Sequence, residues 1–296
     1  MPNTAPWECG PLEDGVQVVT LGLWAHFADF VLTQMLDYRS YLWRGQASGE
    51  WPLKSTFDRL VEDVEKAKGR KIAYIRARQN HLKAFQLAAR GRCRDGEPAP
   101  DDEYAWWALG QHHGLATPLL DWTESAFVAL YFAFLEEDSI GSEFRGVYAF
   151  TEHAAFEAAE EIITSFTGAG KGGRPPCIEI YRPPAPTSGR LVNQRGLFLR
   201  MPDETDLESW VRKNFAGEKK KIVLFNIRIP DQDRKGCLRF LNRMNINHLS
   251  LFPDLDGAAQ YCNADLAIEE YQQPAFSGLL PETMDELKKW PYLNEC

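Results

Sequence analysis

Residues Gln111 to Phe134 read Gln-His-His-Gly-Leu-Ala-Thr-Pro-Leu-Leu-Asp-Trp-Thr-Glu-Ser-Ala-Phe-Val-Ala-Leu-Tyr-Phe-Ala-Phe. The first half packs polar groups into a segment that reads as a turn. The second half is apolar on every side, the pattern of a helix buried all round. Thr123, Glu124 and Ser125 open that helix, and Thr123 is the expected N-cap. Desolvating His, Thr, Asp and Trp at such an entrance costs roughly 1–3 kcal/mol each unless each finds a partner. The segment is therefore a pocket wall or a polar network that fixes the core.

Working outward, the pattern gives short strands mixed with helices. Gly15–Thr20, Tyr41–Trp43, Gly146–Phe150, Cys177–Tyr181, Gly196–Arg200 and Lys221–Ile229 read as strands. Apolar residues from Leu23 to Met35 recur at helical spacing and predict a helix to about Tyr38. A long basic helix, or a pair of helices, covers Phe57–Arg90 with a break near Gly69. Further helices are expected from Asp102 to Gly114, His153 to Ser165, Asp206 to Phe215, Asp231 to Met244 and Leu255 to Gln272. Gly168–Pro176 and the stretch after Arg182 carry loop chemistry, and the Pro-rich tails are expected to be loose. There is no internal repeat and no convincing linker. The fold class expected is α+β: one domain over 1–296, with a mixed or split sheet of about five to six short strands flanked by helices.

The chain has 296 residues, 44% of them hydrophobic, and nine Trp, enough for a substantial core. A net charge of −9 argues against a wholly nucleic-acid-binding surface. The charge is uneven, because Lys54–Arg94 holds twelve Lys or Arg against four Asp or Glu. That segment would meet phosphates or pair with the protein's own acidic faces. The six cysteines are scattered, with no Cys-x-x-Cys pair, which suggests neither a zinc framework nor a disulfide scaffold. With no leader-like start and no apolar run of about 20 residues, the expected setting is cytoplasmic, with no membrane partner.

Several constellations carry chemistry, each with a plainer alternative. Arg44-Gly45-Gln46 ends a short strand and places a fixed bidentate cation beside accessible backbone, which suits a phosphate or carboxylate. Otherwise Arg44 pairs with a carboxylate in the core. His112 and His113 point about 100° apart on a helix and lack a third ligand, so no metal is expected. One of them would instead partner Asp121. Asp121 caps the apolar helix or orients a His or Arg at a ligand. Trp122 is core or a stacking wall, and Tyr131 would turn its hydroxyl to a pocket or stay in the core. Gln194-Arg195-Gly196 repeats the Arg-Gly pairing at a strand edge or is a simple turn. Glu179 alternates with apolar neighbours, as acids facing water do. Signatures of phosphate loops, dinucleotide Rossmann folds, α/β-hydrolases and zincins are absent.

Four blocks, in this order, resemble the FRG domain: Trp43-Arg44-Gly45-Gln46 with Trp51-Pro52-Leu53; Gln111 through Asp121-Trp122-Thr123 to Ala133; Asn193–Phe198; and Leu251–Gly257. They span about Tyr41 to Tyr261, leaving an N-terminal strand and helix and a C-terminal helical extension. Trp43 stands where the family's name leads one to expect Phe or Tyr. The resemblance implies a bacterial or phage-related setting of toxin or antiviral-defence type, and no particular reaction. A weaker resemblance is to arginine-type ADP-ribosyltransferase cores, which begin with an aromatic-Arg-Gly strand. It implies an NAD site with Arg44 and with Glu179 as its acid; with Asp121, read from its own position as orienting a ligand-facing His or Arg, these are the candidate catalytic residues. Gln46, His113, Thr117, Trp122, Thr123, Tyr131, Gln194 and Arg195 would join Arg44 in binding the cofactor. The acid motif around Glu179 departs from that family's usual form.

Three functions follow from these readings. The first is an NAD-using transferase or glycohydrolase. The second is a nucleic-acid or nucleotide recognition module without turnover, using the basic segment 54–94. The third is a structural network acting through protein contacts. The first requires Arg44 and Asp121, remote in sequence, to meet across one open hollow.

Overall fold

A computed structural model describes residues 6–93, 98–136, 142–166, 175–183 and 189–267. The strands are β1 (Trp7–Glu13), β2 (Val16–Leu21), β3 (Tyr41–Gln46), β4 (Leu119–Thr123), β5 (Phe144–Thr151), β6 (Glu179–Tyr181), β7 (Gly196–Arg200) and β8 (Leu224–Pro230). They form one eight-stranded sheet in the order β1-β2-β8-β5-β3-β4-β7-β6. All neighbours pair antiparallel except β2 and β8, which are parallel. The fold is thus a mixed α/β arrangement around an open mixed sheet, with eight strands among the described residues where five or six were expected.

The helices are α1 (His26–Phe30), α2 (Thr56–Lys68), α3 (Tyr74–Ala89), α4 (Glu103–His112), α5 (Ala126–Leu135), α6 (Glu152–Ser165), α7 (Gly189–Asn193), α8 (Leu207–Asn214), α9 (Arg234–Arg243), α10 (His248–Leu251) and α11 (Leu255–Ala267). A π-helical turn over Val31–Met35 continues α1. Among the described residues, no helix is long and apolar enough to cross a membrane. Most of the loop expected at Gly168–Pro176, the end of the helix expected to reach Gln272 and the tail beyond it lie outside the described residues.

The two added strands escaped the sequence for opposite reasons. Residues 7–13 form a half-exposed edge strand containing Pro11, where the composition suggested a loose tail. Residues 119–123 are buried on both faces except at Asp121, so the period-two alternation that marks a strand is lost. Asp121 therefore lies within β4 and is not a helix cap. The cap of α5 is Ser125, whose hydroxyl accepts from Val128 N; Thr123 instead accepts from Ser125 N at 3.0 Å. Gly69 does end α2, in the left-handed conformation at φ 61°.

The sheet buries both faces. Trp43, Val147, Ala149, Phe225 and Ile227 pack with α5, Phe27 and Phe30 on one side. Leu42, Leu120, Trp122, Phe150 and Leu199 pack with Ala155 and Trp210 on the other. The helix α5 lies directly across β3. A Cβ at Gly45 would overlap the carbonyl oxygen of Ala129 and stand 2.6 Å from the nitrogen of Ala133. The C-terminal end of α5 is held by two arginines. Fully buried Arg145 donates to the Ala133 and Glu136 carbonyls at 2.7 and 2.8 Å, and Arg234 donates to those of Phe134 and Leu135 at 2.8 and 2.6 Å. Cations at a helix C-terminus satisfy its unpaired carbonyls and oppose its dipole.

Candidate functional site: a cationic cleft where the sheet divides

Strands β3 and β4 touch at a single residue pair, Trp43 with Thr123. Beyond it they diverge, because β3 continues its pairing with β5 through Gln46 while β4 follows β7. The divergence leaves β4 backbone groups without a strand partner, and Arg44 fills the fork. Its Nη1 donates to the Asp121 carbonyl at 2.6 Å and its Nε to Gln46 Oε1 at 3.4 Å. Gln46 in turn donates to the Trp51 carbonyl at 3.0 Å. The adjacent residue in the β3–β5 ladder, Tyr148, donates to the Gly49 carbonyl, and burial pushes its phenol up to about 12.

The fork opens into a cleft of about 700 Å³. Trp43, Trp51, Trp122, Phe132 and Phe198 supply aromatic walls, and Gln46, Gln111, Thr123 and Gln194 supply neutral polar groups. Its cations are Arg44, Arg59 and Arg190, and its carboxylates are Asp121 and Glu136. Among the described residues, none of the three arginines has a carboxylate oxygen within 4.0 Å. Arg44 has the contacts above, Arg59 donates to the Lys54 carbonyl, and Arg190 lies 4.4 Å over the Phe252 ring. Desolvation pulls the Arg44 pKa below its ordinary value; nearby Asp121 opposes that shift and Arg59 reinforces it. The guanidinium stays charged throughout. His112 also lines the cleft, its pKa lowered by burial first and then by His113 and Arg190.

Of the residues singled out from sequence, Arg44, Gln46, Asp121, Trp122, Thr123 and Gln194 line this one cleft. Thr123 donates to the Gln194 carbonyl at 2.7 Å, tying the end of β4 to the segment before β7. Trp122 Nε1 is buried without a partner among the described groups.

The other candidates lie elsewhere. Glu179 sits on the edge strand β6, accepts from the Tyr104 hydroxyl and stands 3.9 Å from Arg200 Nη1. It belongs to a polar network beside α4 and does not line the cleft. His113 is exposed and does not line the cleft; its neighbour His112, in edge contact with it at 4.9 Å between ring centroids, takes the wall position. Thr117 is fully buried, where its hydroxyl donates to Gln111 Oε1 and it reaches the cleft only through that glutamine. Tyr131 is buried with its hydroxyl 2.6 Å from His248 Nδ1. Arg195 is exposed in the tight turn before β7, at φ 47°.

Sequence reasoning did not place Arg59, Arg190, His112, Gln111, Trp51 or Glu136 in the site. The blocks around Trp51 and Gln111-His112 carried a signal. Arg59 was visible only as one charge of a basic run, and nothing local marks Arg190 or Glu136.

The architecture is that of a mixed α/β protein whose divided sheet holds an arginine at the bottom of an aromatic cleft. Residues 39–140 match the family model of the FRG domain, and the chain carries an FRG domain there. The matched segment runs from β3 through α5, so it holds Arg44, Gly45, Arg59, Asp121 and the helix that crosses Gly45. The blocks at 193–198 and 251–257 lie beyond it. No curated protein and no solved structure matches the chain.

Proposed function

We propose that the cleft binds a nucleotide-type anion, with NAD as the ligand, and that the FRG domain acts as an ADP-ribosyltransferase or NAD glycohydrolase in a toxin or antiviral-defence setting. The observation that carries this reading is the set of three arginines in one aromatic-walled cleft, none with a carboxylate oxygen within 4.0 Å among the described residues. An unneutralised cation in a partly desolvated site favours an anionic ligand, and a guanidinium fork suits phosphate oxygens. Trp51 and Phe132 offer faces for a purine or nicotinamide ring. Arg44 would hold the pyrophosphate.

The chemistry asked of the site is cleavage of the bond between ribose C1′ and the nicotinamide nitrogen. The bonding pair leaves with nicotinamide, and an oxocarbenium-like centre develops at C1′. Asp121 is the carboxylate offered to stabilise that charge, in place of Glu179. A water or a target nucleophile then bonds to C1′ and gives up its proton to bulk water.

The test is NAD binding and turnover by the full chain, followed with a label on the adenylate half. Release of nicotinamide or transfer of label, reduced at least tenfold in Arg44→Ala and Asp121→Asn, supports the reading. A melting curve for each variant separates lost chemistry from lost folding. Well-folded wild-type protein that neither binds nor consumes NAD overturns it.

A further inference from the structure

The cations between Lys54 and Arg92 divide into two sets according to their partners. Lys54, Lys66, Lys71 and Arg78 each have an acidic partner: Glu62, Asp63, Glu65 and Asp203. Arg59 faces the cleft. Lys68, Arg70, Arg76, Lys83, Arg90 and Arg92 are exposed, and none has a carboxylate within 4.0 Å among the described residues. Internal pairing thus accounts for only part of the basic segment, in a protein that has 42 acidic residues to offer.

Two of these six, Arg76 and Lys83, lie on α3, and Arg90 and Arg92 follow its end. Tyr74, Arg78 and Ala89 are buried on one side of that helix, Tyr74 against Phe57 and Val61 of α2 and Arg78 against Asp203. Arg76 and Lys83, seven residues apart, lie on the outward side about 10 Å from each other along the axis. Arg90 continues the row just past the helix end. Exposed Gln79 and Asn80 sit between them as neutral hydrogen-bonding groups. No Asp or Glu occurs from Tyr74 to Cys93. The face also exposes no aromatic ring, so it lacks the platform on which unpaired bases stack. What it presents is three cations spread over about 20 Å, with exposed Leu87 between the last two, a spacing that suits a line of phosphates.

We propose that the outward face of α3 binds the phosphate backbone of a nucleic-acid duplex without reading its sequence. The site is separate from the cleft and does not depend on the NAD reading.

The test titrates labelled duplex DNA, duplex RNA and a single strand with the full chain across a salt series. Arg76→Glu, Lys83→Glu and Arg90→Glu are combined in one variant. A matched control combines Lys213→Glu, Lys219→Glu and Lys220→Glu, which are exposed cations elsewhere on the surface. Each lost phosphate contact lowers the slope of log affinity against log salt by about 0.9 on B-form DNA, so the α3 variant should lose about 2.7. The control should keep the wild-type slope, and Arg44→Ala should keep duplex affinity. Absent duplex binding, an unchanged slope in the α3 variant, or an equal loss in the control overturns the proposal. Equal or tighter binding of the single strand, or of polyglutamate, also overturns it.

Discussion

Replacing Gly45 with alanine adds one methyl group at the most crowded point of the fold. The new Cβ would overlap the Ala129 carbonyl oxygen and stand 2.6 Å from the Ala133 nitrogen, both on the backbone of α5. Neither neighbour is a side chain that can swing aside, so α5 and β3 must separate. That helix is buried along most of its length, and Arg145 and Arg234 anchor its far end. Overpacking of well-filled cores costs about 1–3 kcal/mol; with backbone on both sides, about 3 kcal/mol or more is expected. Gly49→Ala is the internal control. Its Cβ would meet the Arg145 and Phe144 carbonyl oxygens at 3.6 Å, an ordinary contact, and a change within about 1 kcal/mol is expected. Denaturant unfolding followed by tryptophan fluorescence measures both. A Gly45→Ala protein within 1 kcal/mol of wild type would refute the claim that close approach of α5 to β3 fixes this glycine.

Four further outcomes are expected. Arg44→Lys keeps the charge but loses the fork, so it should melt near the wild type while binding NAD about tenfold or more weakly in calorimetry. Glu179→Gln should leave NAD affinity unchanged, because that carboxylate lies outside the cleft; an affinity loss without a fall in melting temperature would restore it to the site. Arg145→Met removes the ion pair with Asp231 and the donor to the Ala133 and Glu136 carbonyls at the end of α5, at a cost of about 3–5 kcal/mol in denaturant unfolding. Burial, and then Arg190, lower the His248 pKa, and the neutral ring faces the Tyr131 hydroxyl. The unfolded chain then takes up more protons, so this contribution is complete above about pH 6.5 and is lost as pH falls towards the lower folded value. Comparing stability against pH in wild type and His248→Gln should show a shallower acid-side decline in the variant.

Residues whose partners lie close in sequence were legible from sequence. The apolar run Ala126–Phe134 is a buried helix wherever it is placed, and Gly69 stops α2 because its left-handed conformation suits glycine. Short strands at 144–151, 196–200 and 224–230 follow from their own composition. The strand at 119–123 did not, because burial on both faces erases the alternation by which half-buried strands are recognised. Glu179 reads from sequence as an acid among apolar neighbours, but its contacts are with Tyr104 and Arg200, which reach it from remote segments.

The sequence by itself determined an α+β protein with an aromatic-Arg-Gly strand end and a polar segment leading into a buried helix, since helix period, turn residues and apolar runs act over a few residues. Only the tertiary structure decided that β3 and β4 part after one residue pair, that Arg44 occupies the gap, and that Arg59 and Arg190 join it with no carboxylate partner among the described residues. Strand pairing and charge neutralisation depend on which distant residues become neighbours. A cation that is balanced and one that remains available to a ligand can carry the same local sequence.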